Sequence, residues 1–333
     1  MTCGCVSTIG RVTNGSSGQA LEGAHIIVSL AMQTPIGLLG FGEAGFHLAR
    51  GLRGAGAPPL VAFDIKAPQG IGDDRIRTRA ADTATRLVAT PRALAEDARV
   101  VLSVVTAASA YDAAKDLAGD LTVDHLFVDL NSVSPTTKQQ IAAAIGTGAG
   151  RFVEGAIMAP VSSGDHRVPI LLNGAWASEL RRVLSRYGMR LDIMDAPTGG
   201  AAAVKMCRSI VIKGMEALMV ECALAAGEYG ASDRVYDSLV ETYPGMDWRQ
   251  MARYMIGRVL EHGERRAHEM EEVADMLRAS GIEPLMAEAT ARVQDWEATL
   301  RRDGRLDGPR PDTIERLLKL LVDRRDVVSA TRR

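Results

Sequence analysis

Two sets of residues have the types and spacing to do chemistry. The first is Gly40-x-Gly42-x-x-Gly45, followed 24 residues after Gly40 by Asp64 and then by Lys66. Three glycines at this spacing suit a phosphate: Gly40 for a tight turn, Gly42 to leave bare backbone beside the pyrophosphate, Gly45 for close helix packing. An acidic residue one strand later would accept hydrogen bonds from ribose hydroxyls. The second set is Lys205, Ser209, Lys213 and Glu216, which fall in one narrow stripe at 100° per residue. The rest of that stretch is apolar (Val204, Cys207, Val211, Ile212, Met215, Leu218, Met219), so the charged stripe needs a partner. One reading makes the stripe the floor of a cleft between two domains. The other makes it a solvated edge with i,i+4 pairs.

The elements that must position these residues follow from periodicity. Ile36–Leu39 is a short apolar strand, the glycines follow, and a helical stretch runs to about Leu52. Further strands are read at 60–63, 99–105, 125–130, 152–153, 169–172 and 190–193, with helices at 109–117, from Pro135 through Ile145, and at 175–187. Continuous apolar strands alternating with helices predict a parallel sheet covered on both faces, an α/β Rossmann-type doubly wound arrangement. After Gly199 strands stop. One long helix at 201–229 is followed by helices at 232–242, 247–260, 262–279 and 285–302 and by a last one opened by Asp312 and Glu315. The expected division is a flexible leader or upstream start at 1–31, a dinucleotide-binding domain at 32–198, and an all-α substrate and dimerisation domain at 199–333. With these flanks the glycine run reads as a dinucleotide loop; without them it would be an ordinary glycine-rich turn.

Composition narrows the function. The 333 residues carry 39 Lys+Arg and 41 Asp+Glu, a formal net charge of -2, and aromatics make up 4%. The charge balance argues against a general polyanion binder, though not against a local basic patch, and the few aromatics disfavour a stacking platform for single-stranded nucleic acid, so no nucleic-acid partner is expected. No apolar run reaches the roughly 18 residues of a membrane span. The four cysteines (Cys3, Cys5, Cys207, Cys222) form no Cys-x-x-Cys pair and read as free thiols of a reducing cytoplasm. The six histidines show no His-x-x-x-His spacing, so no metal site is expected.

Four segments in order resemble the 3-hydroxyacid dehydrogenase and 6-phosphogluconate dehydrogenase-like superfamily. They are the glycine loop (Gly40, Phe41, Gly42, Glu43, Ala44, Gly45), Asp129-Leu130-Asn131-Ser132-Val133-Ser134-Pro135, Glu154 to Gly164, and Gly199 to Ser209. The second is similar to the family's Asp-x-Ser-Thr-x-x-Pro, with Asn131 and Ser132 at the Ser and Thr positions. The third resembles its Asp-Ala-Pro-Val-Ser-Gly-Gly substrate loop, either with Glu154 at the Asp or with Ala159 to Gly164 at the tail. The fourth resembles the Gly-x-Gly-x-x-x-Lys-x-x-x-Asn catalytic segment, with Lys205 on the lysine and Ser209 in place of the Asn. The stretch from Lys205 through Lys213 to Leu218 is similar to a less characterised branch.

The resemblance implies an NAD(P)-dependent oxidoreductase that moves hydride between a nicotinamide and a small, anionic, hydroxyacid-type substrate. It implies cofactor contacts from the glycine loop, Asp64, Lys66, Val105, Thr106 and Ser132, substrate contacts from Asn131, Ser132, Met158, Lys205, Ser209 and Lys213, and a cytoplasmic homodimer. Lys205 is the expected general acid/base, with Ser209 bonding Lys205 or the reacting oxygen and Lys213 reading a substrate anion. Asp64 favours NAD by repelling a 2′-phosphate; Lys66 would attract one and favour NADP. An imine reductase, which lacks this lysine, and a non-catalytic nicotinamide-binding protein are the alternatives. His262, Arg265, Arg266, His268 and Glu269 form a further polar cluster, either contributing anion contacts or facing solvent.

Overall fold

The computed structural model of the chain describes residues 34–67 and 74–302. The expected leader, with Cys3, Cys5 and His25, and the expected helix at Asp312 lie outside the described residues. The described residues form two compact units: one within residues 34–131, 143–153 and 159–193, the other within residues 132–142, 154–158 and 194–302.

The described residues contain a sheet of eight strands: β1 (Ile36–Leu39), β2 (Val61–Phe63), β3 (Arg86–Leu87), β4 (Val100–Ser103), β5 (Leu126–Asp129), β6 (Arg151–Ile157), β7 (Ile170–Asn173) and β8 (Leu191–Met194). They lie in the order β3-β2-β1-β4-β5-β6-β7-β8. The pairs β1–β2, β1–β4, β2–β3 and β4–β5 are parallel, and the order reverses at β1–β4. A doubly wound sheet presents its ligand crevice at such a reversal, beyond the carboxyl ends of the strands. Strands β1, β4 and β5 are buried along their whole length, which explains their apolar sequences up to the closing Ser103 and Asp129. Phe41 and Phe127, both 0% exposed, are among the largest fully buried side chains; full burial of an apolar side chain of this kind contributes about 1.5–3 kcal/mol.

Helices α1 (Glu43–Gly54), α2 (Asp74–Asp82), α3 (Pro91–Asp97), α4 (Ala110–Ala118), α5 (Pro135–Thr147) and α6 (Ala177–Leu184) alternate with these strands. Strand β3 and helices α2 and α3 have no counterpart in the periodicity reading. β3 is two residues long, and α2 carries three arginines with only Ile76 and Ala80 buried, so neither presents an apolar run to detect. Strand β6 is also longer than expected and takes in Glu154.

The second unit holds α7 (Gly200–Glu228), α8 (Ser232–Thr242), α9 (Trp248–Ala279) and α10 (Leu285–Arg302). The two helices expected at 247–260 and 262–279 are one helix of 32 residues. Gly263 interrupts the apolar pattern without breaking the helix. A helical glycine costs only about 1 kcal/mol, and packing along α9 outweighs it. Met219, Val220 and Ala223 of α7 pack with Tyr236, Trp248, Met255, Ile256 and Val259, while Met206 packs with Met270, Val273 and Ala274. Rising numbers on α7 meet falling numbers on α9, so the two helices run antiparallel.

One glycine in the first unit marks a close contact. A Cβ at Gly51 on α1 would stand 2.0 Å from His166 Nδ1 and 2.9 Å from Asp165 Cβ. Asp165 itself has φ +51 and binds α1 through His47 Nδ1 (2.7 Å) and Arg50 (2.7 Å). Alanine ordinarily favours a helix over glycine, so Gly51→Ala separates propensity from packing. We expect a loss of about 1–3 kcal/mol from overpacking, read as a lower thermal midpoint; an unchanged or raised midpoint would refute the contact.

Candidate functional site

The nucleotide end of the first unit is assembled around Gly40. This residue has φ +94, and a Cβ there would lie 2.8 Å from the Val104 carbonyl oxygen and 2.9 Å from Val105 Cγ1. Only glycine meets both conditions without strain. A Cβ at Gly45 would lie 2.6 Å from the Gly40 carbonyl oxygen, so α1 packs directly on the loop. At Gly42 a Cβ would meet nothing within 4 Å, and no side chain caps α1 there. Open space over uncapped helix N–H groups fits a phosphate.

Asp64 follows β2, and its carboxylate is already engaged by the main chain. Oδ2 accepts from the Phe41 N–H (2.8 Å) and Oδ1 from the Lys66 N–H (3.0 Å). Each oxygen keeps a further lone pair for a ribose hydroxyl. Phe41 contributes a buried side chain and a committed N–H, while Glu43 and Lys66 are exposed. Val105 lies half-buried against the loop, and exposed Thr106 bonds Ser109 (Oγ1 to Oγ, 3.0 Å). At the end of β5, Asn131 is buried. Its amide nitrogen donates to Ser103 Oγ (2.9 Å) and to Asp129, and its Oδ1 has no hydrogen-bond partner. A nicotinamide dinucleotide fits these residues: a bare phosphate turn, a carboxylate after the second strand, and an unmet acceptor at the end of the fifth.

In the second unit the lysine helix is fixed at its start. Gly199 has φ +101, and a Cβ there would collide with Pro135 at 2.9–3.0 Å. Glu154, 1% exposed on β6, accepts from the Gly199 N–H and the Ala202 N–H at 2.8 Å each. Glu154 is therefore a strand residue that caps α7: both oxygens face helix N–H groups that have no partner within the helix. Met158, half-buried, follows the same strand.

Lys205 is half-buried in the second turn of α7, and its Nζ donates to Ser132 Oγ at 2.5 Å. Burial pushes its pKa from 10.5 down to about 8; Lys138, Lys213 and Arg265 add to the shift, and Glu269 opposes it. Lys138 on α5 is 1% exposed and donates to the Gly155 carbonyl (3.1 Å). Ser209 does not bond Lys205. It accepts from Lys213 Nζ at 3.0 Å. The reason is geometric: helical side chains lean towards the N-terminus, so Lys213 reaches back over Ser209 while Lys205 reaches back to Ser132.

Lys213 is 6% exposed and pairs with Glu269 of α9 (Nζ to Oε2, 2.9 Å). Burial lowers its pKa against the pull of Glu269. The Glu269 carboxyl is pushed up by burial but held below its ordinary value overall by Lys213 and Arg265. One turn on, Glu272 is raised by burial and by Glu269 and Asp275. Deeper, Glu216 (1% exposed) is held by Arg266, by Gln294 Nε2 (3.3 Å) and by Arg258 (3.6 Å). The polar cluster on α9 thus divides: Arg266 and Glu269 face the lysine helix, exposed Arg265 reaches back to pair with Glu269, and His268 is exposed.

The structure brings Ser132, Lys205, Ser209 and Lys213 together in one unit. Asn131 and the glycine-loop residues belong to the other. Missed in the sequence were Lys138 and the capping role of Glu154, which only tertiary contacts reveal, and Glu272. Among the described residues no group of three or more His, Cys, Asp or Glu could hold a metal ion, and no helix is long and apolar enough to cross a membrane.

Comparison with known proteins adds the lineage. The profile of the NAD binding domain of 6-phosphogluconate dehydrogenase matches residues 35–169, and a domain of unknown function, DUF1932, matches residues 226–296. A conserved hypothetical protein from Sinorhizobium meliloti is 37% identical, with 88% of this chain and 97% of that one covered and a TM-score of 0.74. MTH1747, a conserved protein of unknown function structurally similar to 3-hydroxyacid dehydrogenases, is 31% identical over 81% of this chain and 99% of its own, with a TM-score of 0.67. The 3-hydroxyisobutyrate dehydrogenase of Mycobacterium tuberculosis shares the fold, at 18% identity, 87% and 99% coverage and a TM-score of 0.66. The chain belongs to the 3-hydroxyacid dehydrogenase and 6-phosphogluconate dehydrogenase-like superfamily and carries its NAD(P)-binding domain.

Proposed function

We propose that the protein is an NAD-dependent dehydrogenase of a small hydroxyacid-type substrate, with Lys205 as general acid/base. The observation that carries this reading is the Lys205 amine, half-buried, bonded to one serine, with a pKa of about 8. A catalytic base works best with a pKa near the operating pH, and desolvation supplies the shift here. When bound, the nicotinamide supplies the hydride acceptor or donor.

The chain's own groups handle the proton. The neutral Nζ takes it from the substrate hydroxyl during oxidation, and the ammonium returns it during reduction. Ser132 Oγ accepts from Lys205 and keeps its own hydrogen to donate to a substrate oxygen. Asn131, with an unmet Oδ1, and Ser132 follow one another in the chain and would orient the substrate. The positive groups around Lys205 favour an anionic substrate. Lys205 also speaks for this chemistry over imine reduction.

Asp64 supports NAD over NADP through its charge. Val204, Val211 and Leu218, spaced by seven on α7 and all exposed, support a homodimer formed through that helix. The free thiols Cys207 and Cys222 are in keeping with a cytoplasmic protein.

Assay against a panel of hydroxyacids and imines with NAD(P)(H) tests the reaction class. Lys205→Ala should lower turnover of the best substrate by about 10²–10⁴-fold and leave NADH affinity within error; near-wild-type turnover refutes the assignment. In the oxidative direction kcat/KM should rise with pH through about 8, as the amine loses its proton, and in the reductive direction it should fall through about 8. Titration by fluorescence should give tighter binding of NADH than NADPH. The mass in solution at micromolar concentration should be that of a dimer; a monomer would contradict the apolar stripe as a subunit interface.

A further inference from the structure

The Lys213–Glu269 pair has the clearest geometry among the groups the proposed mechanism leaves unused. Lys213 is buried, its Nζ lies 2.9 Å from Glu269 Oε2 and 3.0 Å from Ser209 Oγ, and both of these partners belong to the protein itself. That leaves Lys213 poorly placed to bind a substrate anion. Glu269 is the acidic group with the strongest electrostatic hold on Lys205. Unengaged, it would be drawn to the Lys205 ammonium. Engaged by Lys213 on one side and Arg265 on the other, it is not bonded to Lys205, whose Nζ turns to Ser132.

We propose that Lys213 is a positioning residue: by occupying Glu269 it keeps that carboxylate off Lys205, so that Lys205 stays free to exchange a proton with substrate. The proposal rests on Lys205 being the acid/base.

The surroundings of Lys205 fix the signs of the test. Facing it are Ser132 and Lys138 from α5 and the segment before it, Lys213 from its own helix, and Arg265, Glu269 and Glu272 from α9. Facing Glu269 are Lys205, Lys213 and Arg265. Removing the Lys213 charge frees Glu269 and withdraws a repelling cation, and both effects hold the proton on Lys205 more tightly. Removing the Glu269 charge leaves Lys213 and Lys138 unopposed and loosens that proton.

The experiment follows Lys205 itself, by mass spectrometry of its acylation rate against pH in the whole protein, alongside the pH profile of kcat/KM. Lys213→Met should move the Lys205 titration up by about one pH unit, and Glu269→Gln should move it down. Lys213→Arg, which keeps the ion pair, should leave it in place and serves as the control for folding. If Lys213 acts through Glu269, the Lys213→Met shift should shrink by at least half when made in the Glu269→Gln background. An equal shift in both backgrounds would overturn the proposal, as would a Lys213→Met protein whose titration is unmoved but whose substrate KM rises, since that is the signature of direct anion binding. Labelling that shifts as described with a pH–rate profile that does not would instead refute Lys205 as acid/base and leave the pairing intact.

Discussion

The Glu154 carboxylate at the N-terminus of α7 is the interaction on which the lysine site depends. It accepts two backbone N–H groups at 2.8 Å from within a strand, and it is itself almost fully buried. A carboxylate in that position meets both the unpaired donors and the positive end of the helix dipole, worth up to about 2 kcal/mol where partly buried. The neighbouring turn is equally constrained, because Gly199 adopts φ +101 and abuts Pro135. These contacts set both the axial position and the rotation of α7 against α5. Lys205 then meets Ser132, and Lys138 comes from the same helix that Pro135 opens.

Everything further along α7 follows from burying charge without stranding it. Lys213, Glu216 and Arg266 are buried and Glu269 is half-buried, arranged as two pairs: Lys213 with Glu269, and Glu216 with Arg266. A buried pair is a weak source of stability, but removing one member leaves an unpaired charge and is costly. The pairing therefore specifies the register between the two antiparallel helices. Lys205 stands apart from both pairs. Burial loosens its proton, Lys138, Lys213 and Arg265 add to the effect against the pull of Glu269, and its hydrogen-bond partner is a hydroxyl and not a carboxylate.

Much of the fold was legible in the residues. The glycine spacing, the apolar run before it and Asp64 after it specify a strand, a phosphate turn and a second strand, and the structure contains all three. The long helix after Gly199 is equally plain, since no glycine or proline punctuation interrupts its first two turns after Gly200. What escaped is what tertiary contact decides. β3 and α2 are too short or too charged to show a period, and α9 runs through Gly263 because its neighbours bury it. The partner of Ser209 was misjudged because an i,i+4 spacing is symmetric in sequence, whereas side-chain lean makes it directional in a helix. Glu154 could be quoted as part of a motif, but nothing in its neighbours announces that its oxygens meet a helix 45 residues away.

The central claim is that the Lys205 amine carries the substrate proton, and chemical rescue tests it most directly. The Lys205→Ala protein would be assayed with a series of small primary amines of graded basicity, at fixed pH and saturating NAD. The account predicts that turnover returns in proportion to amine concentration, and that the rescued rate rises with the basicity of the free amine. A rate that is indifferent to amine concentration and basicity while remaining near that of the native protein would contradict it.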